Sequence, residues 1–129
     1  MDLSELTLLN EPIEFIFNDP ITNLPTDMKF RVIGQDSDQF LAYKRKEDNK
    51  KLKRLQKFNG RFTQSMEEID ADSLAMTAAC IVGWSGLVYN GEPYAFTNDN
   101  AIQLLKAYPP IRDQIEDFVK DRTNFFEKS

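Results

Sequence analysis

Ser85, framed as Gly83-Trp84-Ser85-Gly86, comes nearest to a catalytic nucleophile. A nucleophile elbow needs glycine two residues after the serine, and Leu87 stands there. The serine would also need a base. The 129 residues include no histidine, which removes Ser-His and Cys-His pairs, histidine acid–base catalysis and histidine-bearing zinc or haem sites. Cys80 is the single cysteine, so neither an intramolecular disulfide nor a cysteine zinc site can be completed. It reads as a small core residue, because a reactive thiolate needs exposure and a basic neighbour. Glu67, Glu68, Asp70 and Asp72 gather carboxylates, yet only Glu67 with Asp70 and Glu68 with Asp72 share a helical face. A hard cation wants more oxygen ligands than that, so these residues read as the acidic first turn of a helix. Five glycines form no phosphate-cradling loop. The expectation is a protein that is not an enzyme, with no catalytic residue, cofactor or metal.

What remains is the chemistry of binding. Trp84, Tyr89, Tyr94 and Phe96 lie close in sequence, and Phe118, Phe125 and Phe126 follow on a C-terminal helix and its end. Trp and Tyr favour interface hot spots, so these seven are candidate partner-binding residues. The alternative is that they are core. Charge supplies a second candidate. Residues 1–43 carry a net −6, residues 44–61 a net +7 and residues 62–129 a net −6. Lys44, Arg45, Lys46, Lys50, Lys51, Lys53, Arg54 and Lys57 form the basic run. It reads as a solvated helix or arm, as an electrostatic surface facing a protein, or as a phosphate-binding stripe. Nucleic acid is disfavoured, because the whole domain is acidic and no aromatic interleaves the run before Phe58.

The elements that would position these residues can be placed. The length suits a single domain spanning 1–129. Residues 1–10 read as a loosely held lead-in. Ile13–Phe17 reads as a strand, and Met28–Ile33 as a second in which Met28, Phe30 and Val32 face one way and Lys29 and Arg31 the other. An antiparallel pair would bring Glu14 near Lys29 or Arg31 and must pack on a helix. Asp36, Ser37 or Asp38 caps a helix that Asn59-Gly60 stops. Ser65-x-x-Glu68 has capping-box form, and a helix from about Met66 to Val82 becomes apolar nearly all round, ending in a turn anchored by Trp84. Asn90-Gly91 signals a short hairpin near residues 87–96. Thr97 caps a further helix, Pro109-Pro110 ends it, and Pro110 can open the last. The fold class expected is α+β: a small N-terminal antiparallel strand pair packed on a mainly helical domain of about four helices. The charge of residues 1–10 does not suit a secretory segment. The apolar run Leu74–Trp84 is too short to span a bilayer. A soluble, cytoplasmic protein with no membrane partner is expected.

Segment order carries a resemblance. Residues 30–54, 78–115 and 121–126 present Val82-Gly83-Trp84, Gly91, Pro93, Phe96-Thr97, Ala101, Leu104-Leu105 and Pro109 in sequence. This resembles the tail assembly chaperones of long-tailed bacteriophages, over roughly residues 30–126. The resemblance implies a protein of the infected host's cytoplasm, absent from the finished virion. It would bind the tape measure protein before the tail tube polymerises, with tail tube protein and self-association as further contacts. A structural tail completion or connector protein retained in the particle is the alternative, and a nucleic-acid-binding regulator a third.

Overall fold

A computed structural model describes residues 1–58 and 64–128. The expected helix stop at Asn59-Gly60 lies outside the described residues. The element order is β1 (Leu6–Leu8), β2 (Ile13–Asn18), β3 (Pro25–Val32), α1 (Asp38–Lys57), α2 (Met66–Ala79), β4 (Ile81–Ser85), β5 (Val88–Tyr89), β6 (Glu92–Pro93), α3 (Asn98–Ala107), α4 (Pro109–Lys120) and β7 (Phe126–Lys128), with short 3-10 turns at Leu3–Glu5 and Arg122–Phe125. This is an α+β fold.

The centre is a three-stranded antiparallel sheet in the order β2-β3-β4. The expected strand pair is present, and Glu14 faces Arg31 across it. Register places Phe15, Phe30 and Trp84 in one row across the sheet. Cross-strand partners project from the same face, so one face is aromatic. Helix α4 packs there. Its Phe118 ring lies 5.0 Å from Phe15, and Ile111, Ile115 and Val119 are buried. Glu14, Arg31 and Gly83 share the other face, and the Arg31 guanidinium lies over the Gly83 backbone where any Cβ would meet it.

Strand β4 corrects the expected helix end. Helix α2 stops at Ala79, and Cys80 is its cap. Ile81-Val82 are β-branched, and Gly83 weakens a helix interior. Pairing with β3 then decides the state, and Trp84 rides on a strand rather than in a turn. A second correction concerns residues 1–10. Strand β1 pairs with β7, Leu8 facing Phe126. The Leu9 N–H donates to the Phe125 carbonyl at 2.8 Å, and the Asn10 amide oxygen accepts from the Asp38 N–H. The lead-in is therefore tied to both the C-terminal strand and the start of α1.

Local signals place the other boundaries. Ser37 is the cap of α1; its hydroxyl accepts from the Phe40 N–H and donates to the Gly34 carbonyl. Ser65 and Thr97 accept from the N–H groups of Glu68 and Asn100. Pro109 and Pro110 occupy the first turn of α4. Two polar clamps fix α4. The Gln114 amide exchanges two hydrogen bonds with the Asn18 backbone. Arg112 donates to Glu116 at 2.8 Å and pairs with Asp70 at 3.2 Å, while Glu116 accepts from Thr77 of α2. These bonds raise the Arg112 pKa, the Glu116 hydrogen bond first. Helix α1 differs from the rest. Its 20 residues span about 30 Å, and Phe40 is its one buried residue. The basic run therefore lies on a largely exposed helix.

Candidate partner-binding site

The site is built on the loop after β4. Gly86 has φ +76°, and a Cβ there would lie against the Asp27 carbonyl oxygen. Backbone thus meets backbone at this bend, which only glycine permits. Leu87 is then buried, and β5 and β6 form a two-residue hairpin with Val88 facing Pro93. Asn90 and Gly91 both adopt positive φ, as a type I′ turn requires. The Tyr94 N–H donates to the Leu87 carbonyl at 2.9 Å and closes the loop.

Trp84 locks this hairpin to the sheet. Its indole stacks on Tyr94 at 5.7 Å and 15°. It also meets the Phe96 and Phe30 rings edge to face. Its Nε1–H donates to the Tyr94 carbonyl at 2.7 Å. Tyr89 adds a ring 6.3 Å from Tyr94. Four of the expected residues therefore form one cluster.

Beside the cluster runs a groove of about 630 Å³. The hairpin gives one wall through Val88, Tyr89 and Tyr94, the α3–α4 junction gives another through Leu104 and Tyr108, and Phe17 and Met28 form part of the lining. Hydroxyls come from the tyrosines and an amide from Gln103, and no charged residue is among the described lining residues. Val88 is 66% exposed, Tyr89 56% and Tyr108 45%. Large apolar side chains at the mouth of an uncharged cleft can cover the apolar side of a partner. Pro20 belongs to the site but was not singled out in the sequence, and Tyr108, which the helical run would bury with Leu104 or Leu105, is instead exposed at the groove. The Pro109-Pro110 break, which turns Tyr108 out of the helical run, was the available signal.

The remaining aromatic candidates lie elsewhere. Phe118 is half-buried between Phe15 and Phe125. Phe125 is 2% exposed and belongs to the core, so it is corrected as a partner-binding residue: its ring covers Gly34, where a Cβ would strike it. Phe126 is half-buried in β7. The C-terminal phenylalanines thus close the body.

Lys44, Arg45, Lys46, Lys50, Lys51, Lys53, Arg54 and Lys57 all lie exposed on α1. None of them lines the groove. Lys51 stands 3.5 Å from Asp72 and Arg54 4.0 Å from Glu68, and Lys50 pairs with Glu47. Asp72 also accepts from Gln64. Ser85 is an exposed residue of β4 facing Lys29. Cys80 is fully buried, and burial pushes its thiol up to about 12. Among the described residues no three His, Cys, Asp or Glu side chains gather as a metal site, and no helix is long and apolar enough to cross a membrane. Comparison with protein-family models, curated proteins and solved structures gave no match.

Proposed function

We propose that this protein is a tail assembly chaperone of a long-tailed phage, which binds the tape measure protein without catalysis. The observation that carries the reading is the uncharged groove between the Trp84-anchored hairpin and the α3–α4 junction. A tape measure segment is a long amphipathic helix whose apolar stripe needs cover before the tube encloses it. Such a helix offers side chains at i, i+3 and i+4, the pattern an apolar groove accepts. The hairpin is short and the groove open, so the bound segment can be displaced by incoming tube subunits.

The test is co-purification of the tape measure protein with the tagged protein during assembly, for the native chain and for Val88→Asp. The native chain should retain it, and the variant should lose at least about tenfold in affinity, the equivalent of ~1.4 kcal/mol. Failure of the native chain to retain the tape measure protein, or capture that Val88→Asp leaves unaltered, would refute the reading. Recovery of the protein within purified virions would support the retained structural role.

A further inference from the structure

We propose that the groove selects amphipathic helices whose apolar stripe is edged by lysine or arginine. The selection rests on the chaperone reading, which places a helix in the groove, and adds the chemistry of that helix. An apolar track longer than the groove and an acidic rim around it carry the inference.

The track continues on the β2–β3 turn. Pro20 lines the groove, and Ile21 and Leu24 of the same turn are 92% and 63% exposed. The turn is held in shape. The Asp19 carboxylate accepts from the N–H groups of Ile21 and Thr22. The Asp19 carbonyl accepts from the Asn23 N–H at 2.7 Å, and the Asp19 N–H donates to the Leu24 carbonyl at 2.9 Å. These bonds keep two apolar side chains presented to solvent beside the groove. A small apolar molecule would fill the cleft and leave the turn uncovered. A helix with an apolar stripe along its length covers cleft and turn together.

The rim supplies the charge. Cross-strand partners project from the same side of a hairpin, so Glu92 stands beside Tyr89 of the lining. Asp99 lies one turn before Gln103 on α3, and Asp113 one turn after Pro110 on α4. Residues three or four apart share a helical face. All three carboxylates are exposed, and among the described residues none of them forms an ion pair. Two cations hold equivalent positions. Arg112, one turn after Tyr108, is engaged by Glu116 and Asp70. Lys106, one turn after Gln103, is the other. The rim therefore sets Glu92, Asp99 and Asp113 against Lys106. An anionic rim around an uncharged floor favours a partner with cations beside its apolar stripe, and rejects the same stripe edged by acids.

Calorimetric titration of the full chain with three synthetic helical peptides tests the selection. One carries leucines at i, i+3, i+4 and i+7 edged by lysine. The second carries the same leucines edged by glutamate, and the third is a scrambled form of the first. At about 20 mM salt the lysine-edged peptide should bind at least about tenfold more tightly than the glutamate-edged one. Most of that difference should vanish at about 1 M salt, where charges are screened within about 3 Å. Glu92→Lys/Asp113→Lys changes exposed positions outside the lining; it should keep the native circular dichroism and remove or invert the preference. Ile21→Asp should weaken the lysine-edged peptide about tenfold. Equal affinity for the two leucine stripes, a preference untouched by the double variant, indifference to Ile21→Asp, or a scrambled peptide bound as tightly as the ordered one overturns the proposal. So does a peptide-free dimer that Val88→Asp dissociates, because a second copy would then occupy the groove. Tape measure capture that is lost in Val88→Asp, together with equal peptide affinities, removes the charge selection and leaves the chaperone reading standing.

Discussion

Gly86 and Cys80 show how single residues set the limits of this molecule. The Asp27 carbonyl sits where a Cβ of residue 86 would be, and φ is positive. Gly86→Ala should therefore cost about 1–3 kcal/mol, the range for backbone forced into a sparsely populated region against a fixed neighbour. Urea unfolding with an unchanged m-value would measure it. Loss of the groove should accompany loss of stability, since the same bend launches the hairpin. Cys80 acts through pH. Burial raises its thiol from 9.0 to about 12 in the folded chain. The thiol therefore stays protonated when folded but ionises above about pH 9 when unfolded. Its contribution to stability is complete below that pH and falls as pH rises through the folded value. The loss between pH 9.0 and about 12 should approach ~1.4 kcal/mol per pH unit. Cys80→Ala should flatten this alkaline limb relative to the native chain, whatever it costs at neutral pH.

Elements were legible in the sequence wherever a local bond defines them. Ser37, Ser65 and Thr97 each satisfy an orphan N–H three residues on, and Asn90-Gly91 supplies the two positive φ values of its turn. Such signals need no knowledge of the rest of the chain. Strand β4 was not legible, because Ile81–Ser85 follows an alanine-rich helical run and becomes a strand only through pairing with β3. Strands β1 and β7 were hidden for a related reason. Each has three residues, too few for a period of two to register, and their partners lie at opposite ends of the sequence. That pairing predicts a cost for truncation. Removing residues 1–10 strips β7 of its neighbour and frees the Phe125 carbonyl. A loss of about 1–3 kcal/mol is expected, from a few hydrogen bonds worth ~1 kcal/mol each. Faster amide exchange at residues 126–128 would mark its location.

At the scale of the whole molecule, the candidate site was half legible. Composition drew attention to Trp84, Tyr89, Tyr94 and Phe96, and they do assemble. The same composition drew Phe125 to a surface it does not reach, because sequence shows a ring's chemistry and not its side of the fold. The groove itself needs three distant segments, among them Phe17, Leu87 and Tyr108, and no local pattern joins them. Its walls and helix α1 share no residue, so the molecule separates an uncharged cleft from a basic helix. The sequence holds one tryptophan, and it stacks on a wall of that cleft. The molecule's long-wavelength fluorescence thus originates at a single address. Filling the cleft should shift the emission and alter its quenching, whereas contacts made by the basic face of α1 should leave the spectrum alone. Binding at the cleft can be followed with light, without attaching a label.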